Sequence, residues 1–319
     1  MSDKLKNAES SKESSVELSA LNFSFCPDEE ITKHYQEQLE DLRDKDKWLA
    51  ANKEKIAQSK DRIAEYIKDG LMPDDKPESI WRFSVDRIKE SESRTIEVKK
   101  ELEPKTGEIR NAVSGRLAKF LPDWACKGAD VNFAINEKSD FWVNDNVITA
   151  DLTRLAFDKD FVETAVEGTT HEVFHIWMQE GRPSTGRPKE EIIFSTIDEG
   201  LAVLVSGQSL QKHHEHQGRN YQEYVQESFD AFNKFLREKN KGKIKKMVAE
   251  GGDGYEFKNM GHFYVVGHEI ASAVLENLGI EEFRKIILEA RDNPRVLLEA
   301  YEVICSKDSE LPKIIEESK

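Results

Sequence analysis

Cysteine is scarce in this chain: Cys26, Cys126 and Cys305 are the three in 319 residues. An odd number spaced so widely cannot form a disulfide framework, which excludes a small cystine-stapled architecture. The three are read as free thiols in a reducing compartment. Long apolar runs are missing too, and nothing approaches the ~20 apolar residues of a membrane-spanning helix. The opening "MSDKLKNAESSKESSVELSA" lacks the apolar stretch of a secretory leader. The expected location is cytoplasmic, away from any membrane. Positive charge is in deficit, with 47 Lys and Arg against 62 Asp and Glu and a formal net charge of −15. A surface of that sign repels phosphate backbones, so no nucleic-acid or anionic-membrane partner is expected.

Hydrophobic residues make up 38% and charged residues 34%, as in a globular protein with a very polar surface. The chain is longer than one compact core usually needs, so two domains are expected. Residues 1–20 are rich in Ser, Lys and Glu and read as a disordered leader. Residues 21–120 read as an α-helical region. A long charged helix or helical hairpin runs from about Pro27 to Lys68, and "DGLMPDDKP" (69–77) breaks it. A helix follows from about Glu78 to Leu102, Pro104 interrupts, and a further helix runs to about Leu121. Apolar stripes on helices are usually core, so a structural role or a surface for a protein partner is expected here. Residues 121–319 form the second region. "VNFAINEKSDFWVNDNVITADL" (131–152) alternates apolar and polar residues and reads as two or three short strands. Helical periodicity prevails beyond it, with Gly181, Gly207 and Gly279 where helices would end. The fold class is therefore α+β and mostly helical.

In "TTHEVFHIWMQEG" (169–181), His171 and His175 stand four apart and Glu172 follows the first. On a helix such residues lie ~40° apart around the axis and ~6 Å along it, so both imidazoles can grip one ion. Zinc accepts neutral imidazole nitrogen, and a carboxylate on the neighbouring face can take a proton from the attacking water. Two surface histidines on an ordinary helix remain the alternative. A catalytic zinc needs a third protein ligand. No third histidine follows in the x-x-G-x-x-H spacing, since Met178 stands third after His175. The next candidate is Glu199, 24 residues after His175 in "STIDEGLAVLVS". "GRPSTGRPK" (181–189) can reverse the chain into an antiparallel helix. His175 then lies ~9 Å from its helix end and Glu199 ~10–15 Å into the next, so the depths match. Glu199 shares a face with Ile192, Thr196 and Val203, where a carboxylate is costly unless paired or bound to metal. A partly exposed helix glutamate is the other reading. Asp198 reads as the partner of a histidine N–H.

"TTHEVFHIWM" with "IDEGLA" resembles the gluzincins, zinc metallopeptidases in which a glutamate from a following helix joins the HExxH helix. The resemblance extends to aminopeptidase-like members and to predicted zinc proteases with an EGLA segment. It implies one Zn2+ per chain on His171, His175 and Glu199, with Glu172 as general base. "GHFYVVGHEIASAVLENLG" (261–279) contains Tyr264-x-x-Gly267, similar to a Y-x-x-G whose tyrosine donates to the tetrahedral oxyanion. That likeness implies Tyr264 as the transition-state stabiliser, with His268 one turn further and His262 as other candidates. By its residues alone, Tyr264 is equally a core residue with its hydroxyl at the rim. "SDFWVNDNVITADL" stands where gluzincins place an edge strand that pairs with substrate backbone; an ordinary half-buried strand is the alternative. No G-x-M-E-N-like segment, the anchor for a free N-terminus in the aminopeptidases, occurs. The lean is therefore towards an endopeptidase acting on peptide or protein. The resemblance covers roughly residues 130–290.

Three further signals are discounted. "KHHEH" (212–216) reads as a solvated loop, "NKFLREKNKGKIKKM" (233–247) as a solvated helix face, and "EGGDG" (250–254) as a glycine-rich turn or a lid. Two other classes stay open: an inactive zinc-stabilised scaffold working through its N-terminal helices, and a zinc hydrolase of a non-peptide amide or ester.

Overall fold

The computed structural model describes residues 21–122, 128–135, 140–144, 146–181, 187–216, 218, 220–240, 242–244, 261–308 and 311–314. The expected leader (1–20), Cys126 and the "EGGDG" turn lie outside the described residues, as do residues 182–186 of the expected reversal and 241 and 245–247 of the basic run.

The described chain opens with a strand, β1 (Leu21–Phe25), where an all-helical region was expected. "LNFSF" has the period-2 alternation of a strand, and Phe23 and Phe25 stack on Phe133 with centroids 6.2 and 4.7 Å apart. Its partner lies more than a hundred residues away, so local periodicity gave no hint of the pairing. Five helices follow: α1 (Asp28–Asp41), α2 (Lys45–Gln58), α3 (Lys60–Lys68), α4 (Pro77–Leu102) and α5 (Thr106–Ala118). Asp44 caps α2 by accepting from the Lys47 N–H, and Pro77 opens α4 where a missing N–H costs nothing. α1 and α4 bury Ile31 and Tyr35 with Val98 and Leu102, and the Tyr35 and Thr95 hydroxyls meet at 2.9 Å. α2 and α3 bury no residue.

The expected short strands are β2 (Ala129–Ala134), β3 (Phe141–Asn144) and β4 (Val147–Asp151). Sheet order is β1-β2-β4-β3, with β1 and β4 parallel to β2 and β3 antiparallel to β4 at one edge. After the short α6 (Leu152–Leu155) come α7 (Phe161–Gln179), α8 (Pro188–Ser206), α9 (Leu210–His216) and α10 (Tyr221–Arg237). The last three are α11 (His262–Leu278), α12 (Ile280–Asp292) and α13 (Arg295–Cys305). One hydrophobic core runs from Leu21 through the sheet and α7 to Cys305, so α1, α4 and α5 share it with the later helices. No helix of the described residues is long and apolar enough to cross a membrane.

α8 and α11 cross with their backbones in contact. A Cβ on Gly200 would lie 2.0 Å from the Gly267 carbonyl carbon, and one on Gly267 would lie 1.9 Å from the Thr196 carbonyl oxygen. Neither contact can be relieved by a side-chain rotation, because the opposing atoms are backbone. Gly267→Ala is expected to force the helices apart and cost at least about 1–3 kcal/mol in urea unfolding. Gly115 in α5 is exposed and a Cβ there meets nothing within 4 Å. Gly115→Ala is the contrast, expected to gain up to about 1 kcal/mol.

Candidate metal centre

α7 is an interior helix. It buries Phe161, Ala165, Val166, Val173, Phe174, Trp177 and Met178, and with them His175 and the charged Glu172. Two surface histidines on an ordinary helix would not look like this, since the His171 and His175 side chains are only 12% and 7% exposed. α8 packs alongside α7, so that Asp198 and Glu199 face the histidines.

The geometry converges on one point. His171 Nε2 and His175 Nε2 are 2.9 Å apart, and Glu199 Oε2 lies 3.2 Å from the first and 3.1 Å from the second. His175 Nδ1 donates to Asp198 Oδ1 at 2.8 Å, since a carboxylate can only accept. In the neutral ring that leaves a lone pair on Nε2, aimed at the lone pairs of Glu199. Oxygen and nitrogen lone pairs crowded together in a buried site require a proton or a cation between them. Tetrahedral zinc with ligands at ~2.0–2.1 Å holds its donors about 3.3 Å apart, close to the separations found. A nitrogen, nitrogen, oxygen donor set of this kind fits zinc and leaves its fourth position free. Gln179 Nε2 donates to the other Asp198 oxygen at 2.8 Å, fixing the carboxylate that fixes His175. His171 has no such support: its Nδ1 is buried with no hydrogen-bond partner among the described residues.

Electrostatics follow from burial and from these partners. Burial pushes the Glu172 carboxyl upward, opposed by His175 and His171 and reinforced by Glu199 and Asp198. Burial alone would lower His175, but Asp198 and Glu199 overcome it and hold the ring well above its ordinary value. Glu199 is also penalised by burial, yet the adjacent His175 and His171 rings bring it well below the usual carboxylate range. Tyr264 stands near Glu199, and burial followed by that carboxylate raises its pKa. The phenol thus stays a proton donor at the edge of the tripod.

The other expected residues have partners of their own. His268 Nδ1 lies 3.2 Å from Glu269 Oε1, and His262 Nδ1 lies 2.9 Å from the Ser228 hydroxyl while its ring stacks on Tyr224. "KHHEH" is helix rather than solvated loop: it closes α9, and His214 is fully buried with its ring 4.3 Å from that of Tyr224. The signal was available, because Leu210 and His214 are four apart and a neutral imidazole packs as an aromatic. Lys234, Arg237, Lys239 and Lys243 of the basic run are exposed, while Phe235 between them is buried. Sequence reasoning missed Gln179, although it stands four after His175 on the same face, and it missed the reason for Gly200 and Gly267.

Two imidazoles and a carboxylate around one point, with a buried carboxylate beside them, are the residue types that zinc-dependent hydrolases use. The chain belongs to the family described as "Putative zinc dependent peptidase (DUF5700)", which it matches over residues 19–310. No curated protein and no solved structure matches it significantly.

Two outcomes are expected. Asp198→Asn leaves His175 without its anionic partner and should weaken zinc binding about 10–100-fold in a chelator competition. Glu167, one turn before His171, is pushed by burial from 4.5 to about 7, partly offset by Arg116. Its folded form therefore keeps a proton that the unfolded chain releases, and stability falls as pH rises from about 4.5 through about 7. Glu167→Gln removes that dependence: denaturation midpoints should rise at pH 8 and stay level at pH 4.

Proposed function

We propose that the chain is a zinc-dependent endopeptidase of the gluzincin type, with one Zn2+ per chain held by His171, His175 and Glu199 and a peptide or protein as substrate. The observation that carries this reading is the convergence of those three ligand atoms beside buried Glu172, with Tyr264 near Glu199. Zinc, when bound, supplies Lewis acidity, polarising a carbonyl and lowering the pKa of water. The chain does the rest. Glu172, its proton affinity raised by burial, takes the proton of the attacking water and passes it to the leaving amine. Tyr264, kept protonated, donates to the oxyanion as it forms. Asp198 and Gln179 hold His175 in the tautomer that points its lone pair at the ion.

β3 stands at the end of the sheet order with its Phe141 packed against Gly168 of α7, and it is the strand beside which an extended substrate would lie. Such pairing needs no free substrate terminus, and the absent N-terminus anchor argues the same way. One observation favours the scaffold reading: α2 and α3 bury no residue and leave a charged surface for a partner. An intact base and ligand set argue for the enzyme.

The test is hydrolysis of an unbiased pool of internally quenched peptides blocked at both ends. Wild type should cleave and hold about one zinc by mass spectrometry, whereas Glu172→Gln should keep the zinc and lose turnover. Tyr264→Phe should lower kcat about 10²–10³-fold. Full activity in Glu172→Gln would refute the mechanism. A wild type that binds zinc and cleaves nothing in the pool would leave the scaffold or a non-peptide substrate.

A further inference from the structure

A second polar constellation adjoins the tripod on α11. Glu269 Oε1 accepts the Tyr221 hydroxyl at 2.6 Å and faces His268 Nδ1 at 3.2 Å. Tyr221 is buried and comes from α10, so the carboxylate is pinned by a different helix from the one that carries it. A carboxylate only accepts, so it fixes the proton of His268 on Nδ1 and leaves Nε2 as the ring's outward atom. Among the described residues no hydrogen bond engages that Nε2. The His268 side chain is 18% exposed.

Its position follows from the helix crossing. Gly200, next to the ligand Glu199, abuts Gly267 and the backbone nitrogen of His268. Tyr264, which stands near Glu199, lies one turn earlier on the same face, about 6 Å along the axis. The Tyr221–Glu269 pair is thus spent on aiming an imidazole that neither holds the metal nor packs away in the core. Its partners keep Glu269 ionised: burial would raise that carboxyl, and the His268 and Tyr221 hydrogen bonds bring it below its ordinary value.

Building on the peptidase reading, we propose that His268 is a substrate-contacting residue, oriented by the positioning residues Glu269 and Tyr221, whose Nε2 hydrogen-bonds the peptide backbone beside the scissile bond. Neutral, the ring accepts there from a substrate N–H; protonated, it donates to a carbonyl. The role differs from that of Tyr264, which meets the reacting carbonyl itself. It also differs from that of Asp198, which acts through a metal ligand.

The experiment uses the full zinc-loaded chain and the best-cleaved blocked peptide of the pool. His268→Ala should lower kcat/KM about tenfold, the loss of one hydrogen bond, with zinc content unchanged. His268→Gln, which keeps a polar group near the Nε2 position, should recover part of the loss. A structural role would not do this. Long-range 15N–1H spectra of wild type should show His268 as the Nδ1–H tautomer, and Glu269→Leu should shift it towards Nε2–H. Tyr221→Phe should lower kcat/KM in the same direction and less. Unchanged kcat/KM in His268→Ala, or an Nε2–H tautomer in wild type, would overturn the inference and leave the peptidase reading standing. A wild type that cleaves no peptide would overturn both.

Discussion

The structure depends on the backbone contact between α8 and α11 at Gly200 and Gly267. Glu199 immediately precedes the first glycine, and Tyr264 lies one turn before the second. Close approach at this crossing brings the phenol of Tyr264 on one helix near the Glu199 carboxylate of the other. A single methyl group on either glycine would hold the backbones apart and carry Tyr264 away from Glu199. The two glycines therefore act on the chemistry without touching it, by setting the distance between elements that do.

Beside that crossing the chain gathers three carboxyl groups about two imidazoles. Glu172, Asp198 and Glu199 lie close about two histidines, and Asp198 is nearly inaccessible. A buried carboxylate is costly unless it is paired, and here the pairing runs inward from Gln179 to Asp198 to His175. Gln179 is neutral and so orients Asp198 without cancelling its charge. That gathering is the physical case for a divalent cation at the point where three donor atoms meet.

The N-terminal elements take part in the frame that holds this arrangement. β1 extends the sheet beside β2, α1 and α4 pack into the common core, and Arg116 of α5 reaches both Glu163 of α7 and the Ser206 carbonyl at the end of α8. The same arginine thus links the two helices that carry His171, His175 and Glu199, while α2 and α3 stand outside the core.

What the sequence by itself determined was local. The four-residue spacing of His171 and His175 put two imidazoles on one helix face, and the Pro/Gly-rich 181–189 with Glu199 beyond it placed a carboxylate at matching depth. The strands within 131–152 and the helix between Pro77 and Leu102 were legible for the same reason, a period of 2 or of 3.6 within one segment. Tertiary structure alone decided what rests on contacts between distant segments. β1 needed β2 to become a strand, and the burial of His214 needed Tyr224. Tyr264 needed the glycine crossing to stand near Glu199, and Glu269 could aim His268 only with Tyr221 brought in from α10. Hydrogen bonding within a turn is written in spacing, but the meeting of two helices is set by the shapes of both surfaces, which no single segment carries.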